Sequence, residues 1–224
     1  MVGETPTNTD MAILSARCHV CQADYDASGA PLRCPSCDAL LPSHPRVSPF
    51  AQLGLPVSTS LDDAAVEQAW LKRSRLVHPD RFASRPAAER RAAAEQTIAA
   101  NDAYRLLKTP FDRAVWLVRS AGVDEPRLSQ ARLIAFMEDR EEAEASSAGR
   151  ARVIAAAAAR FQVSLAAVVA SLAEVDWQQV SVAEPGVWRP RLVAVASHLA
   201  DMRTLGRLSA DLGGPTLIAG MDRR

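Results

Sequence analysis

Residues 70–82 read Trp-Leu-Lys-Arg-Ser-Arg-Leu-Val-His-Pro-Asp-Arg-Phe, and the fold turns on the change of character inside them. Up to Val77 the pattern is helical. At about 100° per residue Val66, Trp70, Ser74 and Val77 share one narrow arc, with Lys72 and Arg75 on the opposite side. Arg73 stands at the edge of that arc, where its methylenes are expected to pack while the guanidinium reaches water. Pro79 then withdraws an amide and biases His78 away from helical angles. The helix must end there, leaving His78-Pro79-Asp80 on a stiff exposed loop.

The pattern stays helical on both sides of this stretch. A short turn at Phe50–Leu53 is ended by Gly54 and Pro56, and the helix that holds residues 70–77 is expected to begin near Asp62 behind Ser60 as its cap. Beyond the loop, Pro86 opens a helix to Leu107 with Ala100, Ala103, Tyr104 and Leu107 at i, i+3, i+4 and i+7. Another fits Pro110–Ala121, stopped by Gly122. Three longer patterns follow, about Arg127–Ser147, Arg150–Val175 and Arg189–Leu212, parted by Gly149 and by Glu184-Pro185-Gly186. With short links these imply an antiparallel three-helix bundle. Strand-type alternation is absent from Leu61 onward, and no repeat of fixed period appears, so the fold class is all-α.

Upstream the character changes. Cys18-x-x-Cys21 and Cys34-x-x-Cys37, the only cysteines of the chain, are twelve residues apart. Such knuckles each aim two thiolates at one point, and four sulfurs at about 2.3 Å satisfy a tetrahedral Zn²⁺ with no open coordination position. Two disulfides, a redox Cys-x-x-Cys and a rubredoxin-like iron are the alternatives. His19 and His44 are expected at the surface. Residues 18–47 hold so few apolar side chains that they would need the metal to fold, and their prolines suggest a link to a helical part that folds independently. Residues 1–17 and 213–224 are expected to be frayed tails.

Composition narrows the function classes. Of 224 residues 48% are hydrophobic, 23% charged and 5% aromatic, as in a globular protein. No eighteen-residue apolar run exists, since Arg160, Gln162 and Ser164 interrupt the greasiest stretches, and a membrane span is not expected. The first seventeen residues carry Glu4, Asp10 and Arg17, unlike a secretory or mitochondrial leader, so a bacterial cytoplasmic protein is expected. Twenty-six basic residues balance twenty-six acidic ones, which gives no general pull toward nucleic acid or membrane. The charge is zoned, however. Lys72–Arg91 holds seven bases against two acids, and Glu138–Glu144 holds five acids against Arg140.

A basic amphipathic helix, His78-Pro79-Asp80-Arg81-Phe82, and a long helix ending in Asn101-Asp102-Ala103-Tyr104 together resemble the J-domain of DnaJ-type co-chaperones. With Ala83-Ser84, with Pro110-x-x-Arg113-Ala114-x-Trp116-Leu117 and with Met137-Glu138-Asp139-Arg140-Glu141-Glu142, the chain is similar to the HscB-type J-domain co-chaperones of iron–sulfur cluster assembly. Cys34-Pro35-Ser36-Cys37-Asp38-Ala39-Leu40 resembles the zinc-binding extension that some of that family carry. The resemblance implies a four-cysteine zinc module and linker at 18–47, a J-domain at 48–122 and a three-helix scaffold-binding bundle at 123–212. It implies that His78, Pro79, Asp80, Lys72, Arg75 and Arg81 engage a DnaK- or HscA-type ATPase chaperone. It also implies that Leu133, Ile134, Met137, Glu138 and Glu141, with His198 in the nearest register of the last helix, receive the scaffold IscU. Arg73 stands where the family usually has an apolar residue, and Arg81 where Lys is commoner.

The residues themselves leave the acidic helix open. Leu133, Ile134, Met137, Glu138 and Glu141 form one contiguous stripe, which is either an exposed contact face or bundle core rimmed by acids. No phosphate loop, nucleophile elbow or metal-binding His pair occurs, and Glu141 and Glu142 point in different directions, so no enzyme is expected. Other functions compatible with these segments are a general DnaJ-type co-chaperone with another client and a zinc-ribbon protein that binds nucleic acid. Arg33 is the lone base between Cys18 and Cys37, which speaks against the latter.

Overall fold

The structure, a computed structural model, describes residues 14–177, 180 and 186–218. The Glu184-Pro185-Gly186 break expected before the last helix lies largely outside them. Two compact units are resolved by their contacts: residues 14–113 with Trp177 and Val180, and residues 114–176 with 186–218.

The first unit opens with β1 (Ser15–Arg17) and β2 (Asp24–Asp26), antiparallel with Ser15 opposite Asp26 and Arg17 opposite Asp24. The end of the expected tail is therefore ordered, because Leu14–Arg17 has a pairing partner across the first cysteine knuckle. A second hairpin follows, with Arg33 bridged to Leu40 and the Leu41 amide donating to the Leu32 carbonyl. Next come α1 (Pro49–Leu53), α2 (Asp63–Val77), a 3-10 turn (Pro79–Phe82), α3 (Ala87–Leu107) and α4 (Pro110–Ser120), the last of which passes into the second unit after Arg113. Ser48 caps α1, and Gly54 ends it at a φ of 68°. The cap of α2 is Asp62 and not Ser60: its carboxylate accepts the Ala64 amide, while Ser60 donates its amide to Ser58 Oγ. Phe50, Val66, Val77, Ala93, Ala100 and Leu107 are fully buried, as the helical periodicities require.

Arg73 departs from expectation. Its Nη2 turns inward and donates to the Ala30 carbonyl at 2.9 Å and to Gln96 Oε1 at 3.0 Å. Gln96 in turn donates to the Leu41 carbonyl and accepts from Gln52 Nε2. A long side chain at the edge of an apolar arc snorkels when water is nearest, but here the Ala30 carbonyl and the Gln96 side-chain oxygen are nearer. Residues 18–47 are thus not merely linked to the helices that follow; they pack on them within one unit.

The second unit holds α5 (Gln130–Ala145), α6 (Ser147–Ala173) and α7 (Arg189–Asp211), with α6 against both neighbours. The break between α5 and α6 falls at Ser146, whose Oγ accepts the Gly149 amide, and Gly149 lies inside α6. The glycine marks a close approach and not a break: a Cβ there would sit 2.2 Å from the Glu142 carbonyl oxygen. Ala143, Val153 and Leu208 pack together with Phe136 and Leu212 beside them. By length and composition α6 is apolar enough to cross a membrane, which the sequence reading did not anticipate. Only 22% of its apolar window is buried, although Val153, Ala157, Phe161, Val168 and Leu172 are, and Arg160 pairs with Asp139 of α5 at 2.9 Å. Residues 213–218 fold back instead of fraying: Ser209 Oγ donates to the Pro215 carbonyl, and Ile218 is buried.

Candidate functional site

The two cysteine knuckles are built alike. In the first, the Val20 amide points at Cys18 Sγ, the Gln22 amide donates to the Cys18 carbonyl and the Cys18 amide donates to the Ala23 carbonyl. In the second, Ser36, Asp38 and Ala39 stand in the same relations to Cys34. Gln22 and Asp38 both take left-handed angles, φ 61° and 58°, directly after the second cysteine of each pair. The four Sγ atoms lie within 4.8 Å of one another, with Cys18–Cys37 and Cys21–Cys34 both at 3.7 Å. That is far longer than a disulfide at about 2.05 Å. It matches the edge of about 3.8 Å expected between sulfurs each about 2.3 Å from one tetrahedral cation.

Electrostatics points the same way. Desolvation pushes the Cys34 thiol up, but the Ser36 and Cys37 amides and the Cys18 and Cys21 thiols outweigh it and leave it lowered to about 6. At Cys37 the Ala39 amide draws the thiol down, yet desolvation and the other three sulfurs push it up to about 12. The opposite directions express one fact, that four crowded sulfurs cannot all be anionic without a positive charge among them. The cluster can hold a metal ion. His19 is exposed and His44 half-buried, and neither joins the sulfurs.

Further along the chain in the same unit, Val77 closes α2 and His78 turns the chain with φ −56° and ψ 129°. His78 Nδ1 accepts the Asp80 amide at 3.4 Å and lies 3.5 Å from the Asp80 carboxylate. Both side chains face solvent, His78 56% and Asp80 90% exposed. Arg81 Nη1 donates to the Arg75 carbonyl at 3.0 Å, and the Thr97 hydroxyl is shared between the Ala93 carbonyl at 2.8 Å and the Val77 carbonyl at 3.2 Å. Phe82 is buried beneath the turn. Lys72 and Arg75 are exposed on the outer side of α2, so the structure brings the sequence-derived residues 72, 75 and 78–81 onto one corner. On the inner side Trp70 stacks on Tyr104 with centroids 4.6 Å apart and donates to Asn101 Oδ1, which accounts for the Asn101–Tyr104 motif.

In the second unit Leu133, Ile134 and Met137 are 49%, 48% and 63% exposed, and Glu138 and Glu141 are exposed beside them. The alternative that these residues form bundle core fails, because Phe136 and Ala143 supply the inward face. His198 is exposed on α7. It lines a cleft of about 350 Å³ with Arg127, Ser129, Arg132 and Asp201, at the first turn of α5 and away from Glu138 and Glu141. The Arg132–Asp201 pair at 2.8 Å was not anticipated from the sequence, since nothing in either segment signals a partner about seventy residues away.

The co-chaperone protein HscB homolog of Bordetella avium is 48% identical over 75 residues, 34% of this chain and 45% of that protein. The one from Burkholderia vietnamiensis is 39% identical over 108 residues, 46% of this chain and 62% of that protein. The likeness is to the HscB co-chaperones. The crystal structure of human HscB superposes with a TM-score of 0.71 at 22% identity, over 88% of this chain and 97% of that one. HscB from Vibrio cholerae gives 0.59 at 25% identity, over 75% and 96%. The chain spans about half the length of the curated HscB relatives it matches. No family model matches it. The fold is thus that of the HscB structures, a J-domain and a helical bundle, here with a four-cysteine module in front.

Proposed function

We propose that this chain is a J-type co-chaperone of iron–sulfur cluster assembly in a bacterial cytoplasm. It stimulates the ATPase of a DnaK- or HscA-type chaperone and presents an IscU-type scaffold to it. The carrying observation is the exposed His78-Pro79-Asp80 turn, clamped by Arg81 to the end of α2 beside outward-facing Lys72 and Arg75. A contact element of this kind works by arriving pre-ordered, so that docking costs little conformational entropy. Leu133, Ile134 and Met137 supply an adaptable apolar patch for the scaffold, with Glu138 and Glu141 setting its charge and His198 of α7 adding a contact beside Arg132 at the first turn of α5. Cys18, Cys21, Cys34 and Cys37 hold one structural Zn²⁺. The reading is of a contact protein and not an enzyme: ATP hydrolysis is the chaperone's chemistry.

The test is stimulation of a DnaK-type ATPase by the full chain and by His78→Gln and Asp80→Asn. Both side chains are solvent-exposed, so the variants should fold as the parent does. Stimulation should fall at least tenfold in each, with unchanged circular dichroism. An Asp80→Asn protein that stimulates fully would refute the J-domain function.

A further inference from the structure

Phe82 closes the 3-10 turn that carries Asp80, and its ring lies in a cluster of Leu40, Ala92 and Ala93 with Leu32 packed against it. Leu32 and Leu40 belong to the second cysteine hairpin. Their positions follow from the Arg33–Leu40 bridge, the Leu41-to-Leu32 hydrogen bond and the Cys34-to-Ala39 bond, all within the loop whose tip is Cys34-x-x-Cys37. The underside of the turn therefore rests partly on the cysteine module.

A second connection runs through polar groups. Arg73, two residues before Arg75 on α2, holds the Ala30 carbonyl, and Ala30 itself takes a left-handed φ of 51° that a residue with a Cβ adopts reluctantly. Gln96 of α3 joins Arg73 to the Leu41 carbonyl and to Gln52 of α1. Burial lowers the Arg73 guanidinium to about 10, and its Nε is buried with no hydrogen-bond partner. A cation so placed is retained at a cost, and its acceptors are main-chain and amide oxygens that tie the cysteine module to α2 and α3.

We propose that the cysteine module is a brace for the His78-Pro79-Asp80 turn, with metal occupancy, Leu40, Arg73 and Gln96 governing how fully the turn is pre-ordered. These are positioning residues: none reaches the exposed face of the turn. The inference rests on the co-chaperone reading for its consequence, but its structural half stands apart from it. Without the metal the hairpin at 32–41 loses its tip constraint, Leu40 withdraws support from Phe82, and the turn samples other conformations. A partner that binds only the ordered turn then sees its affinity reduced by the ordered fraction, while saturation restores the full response. A residue acting directly on the trigger would instead lower the maximum.

The experiment uses the full chain as zinc-loaded protein, after chelation, after zinc is returned, and as Arg73→Met, Arg73→Lys and Leu40→Ala. Amide exchange is read at Arg81, Ala83 and Arg85, whose amides donate to His78, Asp80 and Phe82, and at Ala100–Leu107 as an internal reference. Chelation should speed exchange at the three turn amides tenfold or more and leave the reference within twofold, and zinc should reverse it. Arg73→Met and Leu40→Ala should each give a smaller increase, with partial recovery in Arg73→Lys. In the ATPase assay the half-saturating co-chaperone concentration should rise several-fold at an unchanged maximum. Unchanged turn exchange in protein whose residues 32–41 have lost protection would overturn the brace. So would an equal rise in the reference, which marks global unfolding. If the zinc-loaded chain stimulates no DnaK-type ATPase, the co-chaperone reading falls and the exchange data still decide the brace.

Discussion

Two exposed surfaces of this chain are held in place by opposite means. The turn at residues 78–82 is an extended residue followed by a single 3-10 turn, fixed by Pro79, by the Arg81 and Thr97 bonds to main-chain carbonyls, and by a buried phenyl ring. The stripe on α5 is an ordinary helix face whose geometry comes from the helix itself, with ion pairs such as Arg152–Glu142 and Arg140–Glu144 at its edges. A surface that depends on an irregular conformation must be over-determined by its surroundings. A surface that depends only on which side chains share a helix face needs no such support. The difference predicts where buried polar interactions matter and where they do not.

The largest effect should come from Arg113. Its guanidinium is almost fully buried and donates to the carbonyls of Thr59, Leu61 and Leu107, with Asp63 3.6 Å away. Arg113→Leu leaves these carbonyls facing an apolar side chain, and stability should fall by about 3 kcal/mol, as when one partner of a buried charged network is removed. The matching change in the bundle, Arg160→Leu, removes a pair with Asp139 that is partly open to solvent. That loss should stay below about 1 kcal/mol. Urea unfolding of the two variants measures both, and equal losses would break the contrast between the units.

Next in size is the stripe. Leu133→Ala with Met137→Ala should weaken binding of the scaffold by about 2 kcal/mol, the size of a hot-spot truncation. Because both side chains are about half exposed or more, the same variant should lose less than about 1 kcal/mol of thermal stability. Titration calorimetry and a melting curve on one protein separate the two quantities. Weakened folding with undiminished scaffold affinity would show that the stripe is structural.

The same contrast explains what could be read from the sequence. His78-Pro79-Asp80 and the two Cys-x-x-Cys pairs announce themselves because a fixed backbone shape restricts residue type at adjacent positions. Helix extents were legible within a few residues, since apolar periodicity records the buried face. Gly149 misled because a glycine stands equally for a chain break and for a tight helix contact, and only the nearby Glu142 carbonyl decides between them. Arg73 misled for a related reason. Snorkelling is the default for an arginine at the rim of an apolar arc, and the Ala30 carbonyl that reverses it comes from a segment forty-three residues earlier. Leu133, Ile134 and Met137 remained ambiguous because exposed and buried helix faces share one periodicity, and the arbiter, Phe136, lies one residue away on the other side.

Within the turn's own corner, charge and conformation are separable through a small effect. Lys72 and Arg75 are exposed, and each should contribute less than about 1 kcal/mol to chaperone engagement, chiefly through the association rate. Screening acts over about 8 Å at physiological ionic strength, so the deficits of Lys72→Ala and Arg75→Ala should shrink as salt is added. Arg75→Ala keeps the main-chain carbonyl that Arg81 grips, and so leaves the clamp in place. Arg81→Ala removes one positive charge, as Arg75→Ala does, but also releases the clamp. If the turn works by being pre-ordered, Arg81→Ala should retain a deficit at high salt that Arg75→Ala has lost. Coincident salt profiles for the two would mean that the corner acts by charge alone, and the rigidity assigned to the turn would then have no functional consequence.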